Sequence, residues 1–183
     1  MKKFVFINLL LVITVMQCLA QDPDVLFNKD HADPDLLQEL IFQKVNDFRS
    51  KKKLAGLAHD KSLWEAANMH AVYLQKKGEL SHFQNKKKYK TPFDRVKSVT
   101  NLFNSVGENV AYVSVATILM QGKEEKREYK TYEQIANELV DNWLKSKPHL
   151  ANIKDKSYTH SGIAVLYDAD TGRMYAVHVF GGK

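Results

Sequence analysis

The only cysteine of this 183-residue chain, Cys18, lies inside an apolar stretch at the N-terminus. A domain that begins after this stretch contains no cysteine, and it therefore has neither a disulfide nor a thiol nucleophile. It must be stabilised by packing alone, and roughly 160 residues are enough to build one hydrophobic core without metal or disulfide staples. The sequence therefore predicts a single packed domain rather than a disulfide scaffold.

The first 20 residues have the pattern of a secretory signal peptide. Two lysines precede an apolar run over residues 4–16, and residues 18–20 (Cys-Leu-Ala) have the form of a cleavage site. The apolar run is shorter than the roughly 20 residues that a membrane-spanning helix needs. We therefore predict cleavage near Ala20, no transmembrane segment in the mature chain, and secretion to the extracellular space or the periplasm. A retained anchor and lipidation at Cys18 are the alternatives.

The basic charge of the chain does not favour a nucleic-acid partner. The formal net charge is +6, from 27 basic and 21 acidic residues, but only four of the basic residues are arginine. Arginine is the side chain that binds phosphates and base edges through its forked donors. We therefore interpret the lysines as a solvated surface with weak attraction to anionic polymers, and predict no nucleic-acid binding.

Apolar periodicity and capping residues predict one mixed domain over residues 34–183. The predicted elements are a helix over 34–50, a helix from Asp60 to Gly78, a short helix after Thr91-Pro92, a strand over 107–115, a helix from Thr131 that Pro148 ends, and a hairpin of strands 162–167 and 174–180. Residues 21–33 are predicted to be a short polar leader. The charged run over residues 121–130 is predicted to be a solvated excursion.

No local catalytic motif occurs in the chain, so any site must be assembled from distant segments. The candidate side chains are His70, His82, Glu108, His149, His160 and His178. Three of them, His82, Glu108 and His149, fall at predicted element ends, where side chains from different elements can meet. Spacing alone leaves open whether they form a cleft or a buried polar network. His70 and His178 lie in apolar stripes, which predicts buried core histidines, and His160 could line a cleft or face solvent.

Six short motifs occur in a fixed order over about residues 36–181. They are Asn46-x-x-Arg49, His70-Ala71, Ser81-His82, Gly107-Glu108-Asn109-Val110-Ala111, Trp143-x-x-Ser146-x-x-His149-x-x-Asn152-Ile153 and Ser161-Gly162-Ile163. This set resembles the CAP superfamily, which includes cysteine-rich secretory proteins, antigen 5 and pathogenesis-related proteins, and in particular its cysteine-free bacterial SCP-like branch. The resemblance implies an α+β fold, a three-layer α-β-α sandwich with a central, mostly antiparallel sheet and an open cleft.

The same resemblance implies a site on the floor of that cleft. His82, Glu108 and His149 match its two histidines and its glutamate, and Asn109 and Ser146 lie beside them in the motifs. Many eukaryotic members have a glutamate where this chain has Ser146. Two imidazoles and one carboxylate can hold a divalent ion such as Zn²⁺ with open positions. We therefore expect a metal site of modest affinity at His82, His149 and Glu108.

Two classes of function remain open for such a chain. The first is a secreted, non-enzymatic binding module whose cleft takes a divalent metal and a small apolar, lipid-like ligand, or whose surface binds an extracellular polymer. The second is a secreted peptidase or esterase, either metal-assisted with Glu108 as general base or nucleophilic through Ser146 and His149. The binding module is favoured for two reasons. The superfamily that the chain resembles has no activity common to all its members, and the sequence places no third residue that could orient His149 for catalysis.

Overall fold

The computed structural model describes residues 22–183, so the predicted signal peptide and its cleavage site lie outside the described residues. The helices are α1 (Pro34–Lys51), α2 (Lys61–Lys77), α3 (Pro92–Lys97), α4 (Tyr132–Lys145) and α5 (Lys147–Lys154). The strands are β1 (Ala58–His59), β2 (Ser105–Ser114), β3 (Ala116–Gln121), β4 (Glu124–Tyr129), β5 (His160–Asp168) and β6 (Arg173–Gly182). Over residues 22–183, none of the helices combines the length and the apolar character that a membrane span requires.

A four-stranded sheet with the order β1-β5-β6-β2 forms the middle layer. Strand β6 pairs antiparallel with both β5 and β2, whereas the short β1 runs parallel to β5. Helices α1, α4 and α5 pack on one face of the sheet, and α2 and α3 pack on the other. The predicted α-β-α sandwich with a mostly antiparallel sheet is therefore confirmed.

Each face of the sheet has its own apolar core, because side chains alternate along a strand. In β6, Met174 and Ala176 pack with α1 and α4, whereas Tyr175 and Val177 pack with α2 and α3. Trp143 of α4 is fully buried in the first of these cores, as its position on an apolar stripe predicts. The sheet therefore holds both helical layers at a fixed distance from one another.

Side-chain caps determine where the helices begin. Asp33 accepts a hydrogen bond from the backbone N–H of the third residue of α1, and Asp60 caps α2 in the same way. Thr91 and Thr131 each form a complete capping box at the start of α3 and α4. All four helix starts agree with the sequence-based predictions.

The segment around Pro148 differs from its prediction. Pro148 does not end the fourth helix, because α4 already ends at Lys145, and the proline lies in the first turn of a separate helix, α5. Proline is tolerated there because the first N–H groups of a helix have no partner within the helix. His149 is consequently a helical residue, carried by α5.

The charged run over residues 121–130 is largely exposed, as predicted, and it has regular structure. It contains β4, which pairs antiparallel with β3 in a separate two-stranded sheet. The leader predicted for residues 21–33 is partly packed, because Phe27 is buried in the first core and its N–H donates to the Lys130 carbonyl at 2.8 Å. Both segments therefore add structure at the same end of the sandwich.

Arg49 at the end of α1 anchors the helix that carries His149. Its guanidinium is buried and donates to the carbonyls of Ala55, Ile153, Asp155 and Tyr158 at 2.8 to 3.2 Å. Two of these carbonyls belong to the end of α5 and the residue after it. The motif arginine of α1 is therefore a structural residue that fixes the position of α5 against the sheet.

Gly162 allows the start of α2 to lie directly on β5. A Cβ atom on Gly162 would lie 2.0 Å from the backbone nitrogen of Trp64 and 2.4 Å from the carbonyl carbon of Leu63. These are backbone atoms, so they cannot move aside without moving α2. We expect Gly162→Ala to lower the free energy of unfolding by about 1–3 kcal/mol or more, measured by urea denaturation. Gly56→Ala is the matched control, because its Cβ would meet only the Asn46 side chain at 3.6 Å; equal losses in the two variants would contradict this account.

Candidate functional site

The Glu108 carboxylate is the centre of a buried polar cluster. Its Oε1 atom lies 2.9 Å from Nδ1 of His82 and 3.6 Å from Nε2 of His70. Its Oε2 atom accepts a hydrogen bond from Nη2 of Arg95 at 2.5 Å. The Glu108 side chain is 1% exposed, so both oxygens are used by partners inside the protein. This carboxylate is therefore held in place from two sides.

Two adjacent residues of β2 contact elements on opposite faces of the sheet. Glu108 points toward the α2 and α3 layer, whereas Asn109 points toward the opposite face, where α5 packs. The Asn109 amide donates to the backbone carbonyl of His149 at 3.1 Å and accepts a hydrogen bond from Asn152 at 2.9 Å. Because consecutive side chains on a strand face opposite sides, one short sequence, Glu-Asn, positions elements on both faces of the sheet.

His82 lies in the loop between α2 and α3, and its tautomer follows from its contact with Glu108. An ionised carboxylate only accepts hydrogen bonds, so Nδ1 of His82 carries the proton in the 2.9 Å contact. Its other nitrogen, Nε2, then has a free lone pair. The side chain is 41% exposed, so part of the ring is open to solvent.

His149 of α5 lies next to His82. The centroids of the two rings are 6.2 Å apart, and the ring planes are inclined at 67° to each other. Partial burial lowers the pKa of His149 below the usual value for histidine, and the neighbouring His82 adds to this effect. The cluster therefore presents two imidazoles side by side, of which His149 resists protonation.

His70 holds the loop that carries His82. Its Nε2 atom lies 2.7 Å from the Ser81 carbonyl, and its Nδ1 atom accepts a hydrogen bond from the Gln84 amide at 3.0 Å. It is fully buried, and this burial lowers the pKa of His70, so the neutral form with a proton on Nε2 fits both contacts. The predicted hydrogen-bonded core histidine is therefore found, with the loop over residues 81–84 as its partner.

Ser146 and His160 lie outside the hydrogen bonds of the cluster. Ser146 is half-buried at the junction of α4 and α5, and over residues 22–183 no hydrogen bond joins it to His149. The ring of His160 lies 5.6 Å from that of Phe103, and its Nδ1 atom lies 2.8 Å from the hydroxyl of Thr159. Of the predicted site residues, the structure thus brings together His82, Glu108 and His149, with Asn109 behind them.

Arg95 is the member of the cluster that the sequence analysis did not identify. It is fully buried, and besides Glu108 it contacts the backbone carbonyls of His82 and Tyr89 at 3.3 and 3.1 Å. The sequence offered one indication of a paired Arg95: it precedes Val96 on the inner side of a short helix, where burial of an unpaired charge would cost free energy.

Within the described part of the chain, no group of three or more histidine, cysteine, aspartate or glutamate residues has an arrangement that could hold a metal ion.

Comparisons with known proteins agree with this fold. A model of the cysteine-rich secretory protein family matches residues 42–180. The uncharacterized protein YkwD of Bacillus subtilis is 26% identical over 129 residues, which are 70% of this chain and 42% of that protein. The chain thus spans less than half the length of this relative.

Two solved bacterial structures have the same architecture. An outer surface protein from Borrelia burgdorferi superimposes with a TM-score of 0.65 at 21% identity, over 82% of this chain and 96% of that one. An extracellular protein of Bacillus anthracis that contains an SCP domain superimposes with a TM-score of 0.62 at 22% identity, over 82% of this chain and 41% of that one. The matched family model, together with this sandwich, places the chain in the cysteine-rich secretory protein (CAP) family.

Proposed function

We propose that the chain is an extracellular, non-enzymatic binding module that holds a divalent cation such as Zn²⁺ between His82 and His149. The observation that carries this proposal is the 2.9 Å hydrogen bond from Nδ1 of His82 to Glu108, which leaves Nε2 free to bind a metal. Histidines that bind metals in proteins usually donate their other ring N–H to a carboxylate or a carbonyl, which fixes the ring and raises its basicity. The proposal therefore assigns Glu108 the role of orienting His82.

The two imidazoles supply part of the donor set that such a metal needs, and the described residues add no third side-chain ligand. Neutral imidazole is a ligand for zinc, and the lowered pKa of His149 keeps that ring neutral. Zn–N bonds of about 2.1 Å place the centroids of two ligand rings roughly 5–6 Å apart. The observed 6.2 Å between His82 and His149 is slightly larger, so a small approach of the two rings would suffice. The remaining positions would be filled by water or by a ligand of the module.

The non-enzymatic part of the proposal is supported by the surroundings of Glu108. A general base needs a free carboxylate oxygen, but His82 and Arg95 each occupy one oxygen of Glu108, and its side chain is 1% exposed. We propose instead that the half-exposed histidine pair binds a small ligand or an extracellular polymer through the metal. Support for an extracellular location comes from the N-terminal pattern and from the two solved proteins of the same architecture, one an outer surface protein and the other an extracellular protein.

Zinc titration of the purified chain tests the cation site. We expect one Zn²⁺ per chain at neutral pH, and we expect His82→Ala and His149→Ala each to abolish this binding, because one remaining imidazole provides too few ligands. Isothermal calorimetry measures the stoichiometry and the affinity directly. Ser146→Glu should increase the affinity, because it adds a carboxylate at the position where the resemblance to the family implies one.

His31→Ala is the matched control, because His31 is exposed and lies in the leader, away from the cluster. It should bind zinc as the unmodified chain does. If the double variant His82→Ala/His149→Ala bound zinc as well as this control, the metal would have to lie elsewhere. The histidine pair would then be a structural network only.

A further inference from the structure

A pocket of about 360 Å³ lies between the N-terminal halves of α1 and α2, at the β1 edge of the central sheet. One wall is α1 with Gln38 and Glu39, and the other is α2 with Trp64. Ile163 of β5 lies at the floor between them. Glu108 is on β2, the strand at the opposite edge of the sheet, so this pocket is separate from the Glu108 cluster. Its volume is within the range of small-molecule sites in proteins.

The Trp64 ring is a partly exposed wall that is held in a fixed orientation. Trp64 is 39% exposed, and its indole N–H donates to Oε1 of Gln38 at 2.6 Å. Gln38 is itself buried, and its amide donates to the Pro34 carbonyl at 2.9 Å and to the Asp35 carboxylate at 3.1 Å. The ring and its support are therefore in place before a ligand arrives, which reduces the cost of ordering a binding site.

The edge of β5 at the floor of the pocket has no strand partner. Strand β1 pairs only with His160 and Ser161, and the Asp60 N–H donates to the Ser161 carbonyl at 3.0 Å. Backbone groups of every second residue in a strand point to the same side, so the N–H and C=O of Ile163 also point toward this edge. Within residues 22–183 neither group has a hydrogen-bond partner, although Ile163 is 1% exposed. Buried backbone groups are usually paired, so the floor favours a ligand that supplies one donor and one acceptor side by side.

Two carboxylates and an imidazole line the rim of the pocket. Asp35 and Glu39 are four residues apart on α1, so their side chains lie on the same face of the helix. Nε2 of His59 lies 3.4 Å from the Glu39 carboxylate, and the His59 ring stacks on Phe42 with 3.6 Å between the centroids. An ionised carboxylate only accepts hydrogen bonds. The rim therefore favours a ligand with hydroxyl donors and disfavours an anion.

We propose that this pocket binds an N-acetylhexosamine unit of an extracellular glycan. In such a sugar the acetamido N–H lies next to a hydroxyl on the adjacent ring carbon. The N–H would donate to the Ile163 carbonyl, and the hydroxyl oxygen would accept from the Ile163 N–H. The apolar C–H face of the ring would pack on Trp64, and other hydroxyls would donate to Asp35 and Glu39. A cationic side chain would instead leave the Ile163 N–H unpaired, because it only donates. The site goes beyond the proposed function and does not depend on the proposed cation site.

Calorimetry with two trisaccharides of the same linkage tests the proposal on the full mature chain. Chitotriose, whose β-1,4-linked rings carry acetamido groups, should bind with one molecule per chain. Cellotriose has hydroxyls in their place and should bind about tenfold or more weakly, because it lacks the amide donor and the methyl group. All titrations contain EDTA, so a requirement for Zn²⁺ would place the glycan at the histidine pair and overturn the proposal. Acetyl-trialanine amide is the peptide probe, and binding as tight as that of chitotriose would make the edge of β5 a peptide site instead.

Two variants test the walls of the pocket. Trp64→Ala removes the stacking surface and should weaken chitotriose binding by about tenfold or more. Asp35→Asn/Glu39→Gln replaces both carboxylates by weaker, neutral acceptors and should weaken it by about threefold or more. Urea denaturation of each variant shows whether it is folded, and the exposed Glu39 position keeps the second test independent of the first.

The matched controls make the same kinds of change at exposed positions outside the pocket. They are Phe93→Ala and Glu79→Gln/Asp141→Asn. Both should bind chitotriose as the unmodified chain does. Equal binding of chitotriose and cellotriose, or equal chitotriose affinity in the pocket variants and these controls, would overturn the proposal.

Discussion

Replacing Arg95 by methionine should lower the free energy of unfolding by about 3–5 kcal/mol, since it leaves a buried carboxylate without its cation. Arg95 is fully buried and contacts Glu108 at 2.5 Å, and the Glu108 side chain is 1% exposed. Water cannot replace the missing guanidinium at that depth. Urea denaturation of Arg95→Met measures the loss.

An exposed ion pair provides the control for this experiment. Arg127 contacts Glu125 at 3.3 Å in the β3–β4 hairpin, where both side chains are about half exposed. Exposed pairs contribute about 0–1 kcal/mol, so Arg127→Met should change stability little. Equal losses in Arg95→Met and Arg127→Met would show that the buried pair does not stabilise the protein in the way described.

A double variant separates the structural role of the pair from its role in the site. Arg95→Met/Glu108→Leu removes both charges of this pair, so neither is left buried without its partner and most of the lost stability should return. His82 has then lost the acceptor that fixes its tautomer, and the zinc affinity should fall by about 10- to 100-fold, the usual cost of removing such a partner. A stable double variant with unchanged zinc affinity would show that Glu108 does not orient a metal ligand.

Much of the fold was predictable because its signals are local. Asp33, Asp60 and the two capping threonines each satisfy orphan N–H groups of the next turn, so a few residues are enough to mark a helix start. The hairpin of β5 and β6 follows from two apolar runs with a turn between them. These features depend on neighbours in the sequence, and sequence patterns report such neighbours well.

The errors arose where partners are distant or where a local signal has two meanings. Pro148 indicated a helix end, but proline is equally compatible with the first turn of a new helix. The charges of β4 correctly indicated an exposed segment, but they did not indicate a strand, because its backbone partners are provided by β3. The apolar stretch around Phe27 is too short to predict a packed segment. Phe27 is nevertheless buried, by residues about 100 positions later in the chain.

The site could be predicted only through the resemblance to a family. The separations between His82, Glu108 and His149 fit many folds, and only the sheet topology brings β2 between the loop of His82 and α5. Arg95 and Gln84 were not predictable, because their roles depend on contacts with a carboxylate and a histidine in other elements. The resemblance identified which residues to examine, and the hydrogen bonds indicate how each of them could act.

His178 should make the fold sensitive to acid. It lies in β6, is fully buried between Trp143 and Phe180, and within residues 22–183 neither ring nitrogen has a hydrogen-bond partner. Burial lowers the pKa of His178 to about 3, and repulsion by the nearby His59 and Arg49 adds to this effect. An unfolded histidine has a pKa of about 6.5, so below that pH the unfolded chain binds a proton that the folded chain does not.

The sign and size of the pH dependence follow from these two pKa values. Above pH 6.5, His178 causes no loss of stability. Below that pH, the free energy of unfolding falls by about 1.4 kcal/mol for each pH unit, and the total loss due to His178 is about 5 kcal/mol near pH 3. His178→Phe removes this titration, so the stability difference between the unmodified chain and the variant should change by about 3 kcal/mol between pH 7.5 and pH 4.5. Urea denaturation at both pH values measures it, and His31→Gln, at an exposed position, should show no such change. Parallel pH curves for the unmodified chain and His178→Phe would mean that the buried ring is protonated in the folded protein, and its hydrogen-bond partners would then have to be sought around β6.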